Sequence, residues 1–151
     1  MSNPARKKTI VICSSAAFYE HVNKIADELK KMGFNVEVPS TATRMKDAAD
    51  YNVEKVKTWY ENPGHFVKKR GLAMEHFDKI AAGDAILIVN DDKPDRSNYI
   101  GPNATMEWGL AYYLGKSIFI LNGVSRDSNF YEEVYGMSTL VLEGDLGRIK
   151  I

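Results

Sequence analysis

The sequence predicts an α/β protein in which helices cover both faces of a five-stranded parallel sheet. Three short apolar runs, at 9–13, 85–89 and 117–121, are rich in β-branched residues and nearly continuous, which is typical of strands buried on both faces. Segments with a 3.6-residue apolar period separate these runs. Because strands that alternate with helices form right-handed βαβ units, we expect a doubly wound sheet with the strand order 2-1-3-4-5.

Shorter sequence patterns predict the remaining strands and the helices. Residues 36–38 and 139–142 are two further strand candidates, whereas 40–64 is polar and has no clear period. Gly33 and Gly115 stand where the C-terminal caps of helices belong. The predicted helices cover 18–32, 65–82, 103–114 and 129–135. No linker divides this series of elements, which predicts one domain.

Length and composition narrow the class of protein. A chain of 151 residues suits a single domain over 1–151. The 20 basic and 20 acidic residues cancel, and because nucleic-acid binding usually needs a basic patch, we expect no nucleic-acid partner. The single cysteine, Cys13, excludes an internal disulfide framework, and no stretch approaches the roughly 20 apolar residues of a membrane span. These features predict a cytoplasmic protein with no membrane contact.

The topology of the predicted sheet indicates where a ligand binds. Doubly wound sheets hold ligands outside the carboxyl ends of their strands, where the strand order reverses, here between the first and third strands. Ser14 and Ser15 leave the first strand there and could hold a phosphate or sugar oxygen, although serine in that position also caps helices. Tyr19 could line the same rim or pack against its own helix, and Asn122 follows the fourth strand. The loops at this point are 14–16, 90–102 and 122–123.

Acidic side chains stand near the same point. Asp91 and Asp92 directly follow the third strand, where they could orient a hydroxyl or share a proton, or else form an ordinary solvated turn. Glu107 lies in or just beyond the first turn of the next helix, whose dipole favours the ionised carboxylate. That carboxylate could act as a nucleophile or a charge stabiliser, or simply compensate the dipole. The apolar residues of this helix expected to face the core are Met106, Leu110 and Leu114.

We expect neither a metal nor a cofactor. No glycine-rich dinucleotide fingerprint and no Walker lysine follow the first strand, and the acidic spacing matches no EF-hand loop. Cys13 lies within a predicted buried strand, which favours packing over nucleophilic chemistry. His21, His65 and His76 are scattered over helical segments, which favours surface or packing roles.

Three stretches together resemble a known family. They are the serine-containing loop after the first strand, the run 84–91 that ends in Asp91, and the run 103–116. The last contains Glu-x-Gly-x-Ala at 107–111, followed by Gly-Lys and a strand. Over about residues 8–122 the chain resembles the nucleoside 2-deoxyribosyltransferase-like superfamily, which includes transferases and deoxynucleoside-monophosphate N-glycosidases. The resemblance implies a flavodoxin-like three-layer sandwich.

The resemblance also implies a chemistry. In this family a glutamate that matches Glu107 attacks the anomeric carbon and forms a glycosyl-enzyme intermediate, and an aspartate after the third strand matches Asp91 or Asp92. Where transferases carry an Asp-x-Gly-Thr pattern, this chain has Asn103 as its polar group. The implied function is deoxyribosyl transfer or hydrolysis on a small-molecule nucleoside or nucleotide. The alternative is a non-catalytic nucleotide-binding or sensing protein that uses the same cleft.

Aromatic residues on the predicted helix 103–114 indicate that the protein forms an oligomer. Trp108, Tyr112 and Tyr113 lie on more than one helical face, so some of them cannot reach the core of their own domain. Large aromatic side chains favour interfaces. Members of the family form homo-oligomers, and we expect a dimer or larger assembly.

Overall fold

The computed structural model of the protein describes residues 4–151, and its centre is a five-stranded sheet in which all neighbouring strands are parallel. The order along the sheet is β2-β1-β3-β4-β5. The predicted order and direction of the strands are therefore confirmed. The strands are β1 (Thr9–Ser14), β2 (Asn35–Glu37), β3 (Ala85–Val89), β4 (Ser117–Ile120) and β5 (Leu140–Val141).

Helices alternate with the strands along the chain, as expected. The segment 40–64, which has no clear period, folds into two helices and two 3-10 turns, at Thr58–Tyr60 and Pro63–His65. Gly33 and Gly115 have φ angles of 98° and 70°, as expected of residues that end a helix in the left-handed region. No helix within residues 4–151 has both the length and the apolar character to cross a membrane. The helices are α1 (Tyr19–Lys31), α2 (Ser40–Ala48), α3 (Val53–Val56), α4 (Phe66–Ala82), α5 (Pro102–Tyr113) and α6 (Tyr131–Gly136).

Two apolar clusters, one on each face of the sheet, hold three layers together. Side chains of a strand alternate between its faces, so β1 contributes to both clusters. Ile10 and Ile12 belong to the cluster that contains α1, whereas Val11 and Cys13 belong to the cluster that contains α4, α5 and α6. All four side chains are fully buried. This division determines which side chains at the end of each strand can meet.

The buried face of α5 differs from the predicted one. Met106 and Leu114, two members of the expected core stripe, are 53% and 42% exposed. The buried residues instead follow i, i+3, i+4 and i+7 spacing, and one of them is charged. The two alanines of this stripe let the helix lie close to the sheet, and Trp108 fills the space beside them, while Met106 and Leu114 face outward. The buried stripe is Ala104, Glu107, Trp108 and Ala111.

Trp108 and the two tyrosines of α5 have different environments. Trp108 is 3% exposed, and its indole nitrogen donates to the carbonyl oxygen of Met137 at 3.2 Å. Tyr112 and Tyr113 are 53% and 87% exposed. Of the three aromatic residues on which the expected assembly depends, Trp108 therefore belongs to the core, and the homo-oligomer stays a prediction.

Candidate active site

A cavity of about 150 Å³ opens at the carboxyl end of β1. Its walls come from the loop after β1, the segment around α2 and α3, one side of α4, the loop after β3 and the first turns of α5. This is where strand order reverses, since β1 lies between β2 and β3. We call it the Glu107 cavity, because Glu107 lines it and is 8% exposed.

Three buried side chains meet at the Glu107 cavity. The Nε2 atom of His76, on α4, lies 3.7 Å from Oε2 of Glu107 and 3.8 Å from Sγ of Cys13. Cys13 points to this side because it alternates with Ile12 along β1. His76 and Glu107 both line the cavity wall. The structure thus unites three residues that the sequence analysis treated separately.

The carboxyl group of Glu107 is buried, and one of its two oxygens has no hydrogen-bond partner among residues 4–151. Its Oε2 atom has no hydrogen bond within the described part of the chain. Burial raises the pKa of Glu107 to about 7, while the neighbouring Cys13 thiol and the charge of Lys69 act in the opposite direction. α5 begins at Pro102, so Glu107 lies in the second turn, beyond the reach of the helix dipole. The expected dipole stabilisation of the ionised form is therefore absent, and dehydration favours the protonated form.

His76 and Cys13 are neutral neighbours of Glu107. Nε2 of His76 donates to the carbonyl oxygen of Ile12 at 3.0 Å, which leaves Nδ1 as the acceptor nitrogen of a neutral ring. Burial, followed by the charge of Lys79, lowers the pKa of His76 to about 4. Burial, followed by the charge of Glu107, raises the pKa of the Cys13 thiol well above its ordinary value. Neither group carries charge near neutral pH.

The same three residues have a spacing that metals can use. One ligand atom from each of Cys13, His76 and Glu107 lies within 4.8 Å of the other two. A metal ligand must offer a lone pair, however. The ring nitrogen that lies near Glu107 and Cys13 is Nε2 of His76, and it presents a proton to the Ile12 carbonyl. Because of this hydrogen bond, we assign no metal to the cluster.

Four predicted binding residues line the Glu107 cavity. They are Ser14, Ser15, Tyr19 and Asn103. The Ser14 hydroxyl donates to the carbonyl oxygen of Ser15 at 3.0 Å, and the Ser15 hydroxyl accepts from the Ala17 amide at 3.4 Å. Ser15 thus caps the short 3-10 turn that precedes α1, which was the alternative reading of its role. Burial, followed by the charge of Glu107, raises the pKa of Tyr19, so its hydroxyl stays protonated.

Asp91 and Asp92 do not line the Glu107 cavity, contrary to the expectation that their loop would present them to it. Asp91 lies two residues after Val89, so strand alternation directs it to the α1 side of the sheet. Its Oδ2 atom is 2.6 Å from Nδ1 of His21. Asp92 is exposed and accepts from the Asn98 amide at 2.8 Å.

A second cleft opens on the α1 side, and it contains Asp91, His21 and Asn122. Asn122 is therefore also separate from Glu107. Its amide donates to Oδ1 of Asn90 at 2.9 Å, and Nδ2 of Asn90 donates to the Asn122 carbonyl at 2.7 Å. These hydrogen bonds connect the end of β3 to the end of β4.

Sequence reasoning missed several residues of the Glu107 cavity. His76 lies on the inner stripe of α4 together with Ala73 and Ile80, a spacing that could have indicated its burial. Lys57 and Trp59 also line the cavity, but they come from a segment without a period. Lys69 and Lys93 are two further cavity residues that sequence reasoning did not single out.

Solved structures with the same architecture come from enzymes. A 2-deoxyribosyltransferase from Bacillus psychrosaccharolyticus gives a TM-score of 0.61 at 16% identity, over 95% of this chain and 93% of that one. A 2-deoxyribosyltransferase from Leishmania mexicana gives 0.50 at 21% identity, over 79% of this chain and 67% of that one. A CMP N-glycosidase from Clostridium botulinum gives 0.48 at 15% identity, over 90% and 89%.

No family model and no curated protein matches the chain. The similarity in structure is therefore one of fold, and it covers almost the full length of both chains in the Bacillus comparison. The all-parallel sheet and its strand order agree with the flavodoxin-like sandwich that the resemblance implies. The chain shares the fold of the two 2-deoxyribosyltransferases, and this is the fold that the sequence resemblance implies.

Proposed function

We propose that this protein breaks the N-glycosidic bond of a nucleoside or nucleotide, with Glu107 as the nucleophile. One observation carries the proposal: the Glu107 carboxyl lines a cavity, its Oε2 atom lacks a partner, and its pKa is raised to about 7. Catalytic groups commonly combine a cleft with a strongly perturbed pKa. The fold shared with 2-deoxyribosyltransferases supports the choice of reaction.

The proposed reaction needs two displacements at one carbon. An ionised Glu107 oxygen forms a bond to the anomeric carbon while the bond from that carbon to the base nitrogen breaks. The bonding electrons leave with the base, which takes up a proton. Water or a second base then attacks the same carbon, loses a proton and releases the Glu107 carboxylate. Water as acceptor gives hydrolysis, and a base gives transfer.

The neighbours of Glu107 suit this role. With a pKa of about 7, the carboxyl group is present in both ionised and protonated forms near neutral pH. Neutral His76 and the Cys13 thiol introduce no permanent counter-charge, so the carboxylate stays free to stabilise a cation-like transition state. We assign His76 and Cys13 positioning roles and reserve the covalent step for Glu107.

Release of free base tests the proposal. The purified protein is incubated with a panel of nucleosides and nucleotides, and the products are separated by chromatography. We expect base from at least one substrate and its loss in Glu107→Gln, which removes the charge and keeps the shape. Glu61→Gln is the control, because Glu61 is exposed and lies outside the cavity. Base release by Glu107→Gln at the normal rate would contradict the nucleophile.

One observation favours the non-catalytic alternative. Among the described residues, the other carboxylate at the Glu107 cavity is Glu75, whose Oε1 lies 3.6 Å from the Lys79 ammonium. Glu107 therefore has no free acidic companion there. Tight binding of a nucleotide, measured by calorimetry without any release of base, would support a binding or sensing protein instead.

A further inference from the structure

Three lysines from separate segments line the Glu107 cavity. Lys57 follows α3, Lys69 lies in the first turn of α4, and Lys93 lies in the loop after β3. We propose that these three lysines bind the phosphate of the substrate, so that the substrate is a nucleoside monophosphate rather than a nucleoside. The inference rests on the proposed function and names the substrate class for the same site.

Within residues 4–151, none of the three ammonium groups forms an ion pair with a carboxylate. Every Lys–carboxylate contact within 4.0 Å in residues 4–151 belongs to a different lysine. Lys79 lines the same cavity and shows the contrast, since its ammonium contacts two glutamates and donates to the Val38 carbonyl at 2.9 Å. Lys79 is thus a structural cation, whereas the other three are available to an anion.

Lys57 is repelled by both of the other lysines. Each of the three lysines is half-buried. Burial lowers the pKa of Lys57, with the charge of Lys93 acting in the same direction. Burial also lowers the pKa of Lys69, with Lys57 adding to the shift and the charge of Glu107 opposing it. Like charges gathered in a partly dehydrated place raise the free energy of the ligand-free protein. A bound anion would relieve this repulsion and replace part of the lost hydration.

Two further features strengthen the positive field. The Nζ atom of Lys93 lies 4.0 Å from the centroid of the Tyr99 ring, a cation–π contact that holds the ammonium at the cavity. The first turn of α5 forms another part of the wall and contains no acidic residue. The Thr105 amide donates the first intrahelical hydrogen bond, to the Gly101 carbonyl. The preceding amides of Asn103 and Ala104 are therefore free to face an anion.

The size of the charge favours a phosphomonoester. Such a group carries about −1.5 to −2 at neutral pH, which suits three cations better than the single charge of a carboxylate does. The chain as a whole has no net charge, so the positive potential is local. Nucleic-acid binding proteins instead spread basic residues over an extended surface. A small phosphorylated molecule therefore fits the observations best.

Paired substrates test the lysine site. We measure kcat/KM for each active nucleoside and for its 5′-monophosphate, and use the ratio of the two as the readout. In Lys57→Met, Lys69→Met and Lys93→Met, the ratio should fall about 10- to 100-fold, the scale of a lost hydrogen bond to a charged group. Lys55→Met is the matched control, since Lys55 pairs with Asp50 and lies outside the cavity. A ratio near one in the unmodified protein would overturn the inference and leave the proposed function intact.

A binding measurement separates the two proposals. Inorganic phosphate and nucleoside monophosphates are titrated into the protein by calorimetry at two salt concentrations. Binding that weakens in the lysine variants, but not in Lys55→Met, would support the site even if no base is ever released. The absence of binding by any monophosphate, or tighter binding of an RNA oligonucleotide than of the monophosphates, would overturn it.

Discussion

The two clefts at the carboxyl ends of the strands contain carboxylates that differ in burial and in hydrogen bonding. On one side of the sheet, Glu107 is buried and its Oε2 atom has no hydrogen-bond partner. On the other side, Asp91 lies 2.6 Å from Nδ1 of His21, and both side chains reach solvent. Burial without a partner leaves a carboxyl group poised to change its charge, whereas an exposed pair is an ordinary surface contact. Proximity to a strand end is therefore not enough to identify a reactive acid.

The largest expected difference between the two clefts is the effect of their carboxylates on the rate of base release. Glu107→Gln should lower the rate of base release by about 1,000-fold or more, because removing a nucleophile removes the chemical step. Asp91→Asn should change it by only a few-fold, since Asp91 lies outside the Glu107 cavity. Initial rates on one active substrate measure both, with His21→Gln as a control for the second cleft. An equal loss in Asp91→Asn would give that aspartate a part in the reaction.

Stability against pH should show the next largest effect. The folded protein raises the pKa of Glu107 from its ordinary 4.5 to about 7, so the folded state holds this proton more tightly. This contribution to stability is complete below pH 4.5 and is lost as the pH rises through 7. Glu107→Gln has no proton to lose and should be more stable than the natural protein at pH 8, by about 3 kcal/mol. Near pH 4.5 the difference should be small.

Urea unfolding at both pH values measures this difference. Glu61→Gln should leave the free energy of unfolding nearly unchanged at either pH, because an exposed side chain has little to lose. Equal stability of Glu107→Gln and the natural protein at pH 8 would show that the carboxyl group finds a partner or water in solution.

The smallest effect is expected in the second cleft. His21 and Asp91 have side chains that are 48% and 23% exposed, so solvent screens their attraction. A double-mutant cycle with His21→Gln and Asp91→Asn should give a coupling energy below about 1 kcal/mol. Thermal or urea unfolding of the four proteins measures it. A coupling energy of several kcal/mol would mean that His21 and Asp91 are shielded from solvent in the folded protein.

Local pattern was sufficient to predict the sheet. The apolar runs 9–13, 85–89 and 117–121 correspond closely to β1, β3 and β4, because a strand buried on both faces leaves a continuous signal. The position of the Glu107 cavity also followed from strand order. By contrast, 40–64 contributes short elements whose burial depends on partners elsewhere in the chain, and no local period describes it.

The members of the site were harder to predict than its position. Cys13 and His76 are 63 positions apart, and only the packing of α4 on β1 brings them together. The error in the predicted core stripe of α5 affected Glu107. With Met106 facing the core, Glu107 would lie at the border of the buried face, whereas in the structure Glu107 is part of that face. Burial is what changes its pKa, so that property could not be derived before the helix orientation was known.

The hydrogen bonds between Asn90 and Asn122 extend the sheet beyond its last backbone rung. Asn90 is fully buried, and its side-chain amide accepts from the backbone of Asn122 and donates back to it, as a neighbouring strand would. The Asn122 amide lies outside every strand, yet its exchange with solvent deuterium requires the ends of β3 and β4 to separate. In its dynamics this connection belongs to the sheet, and it holds Asn122, which lines the second cleft, against the end of β3.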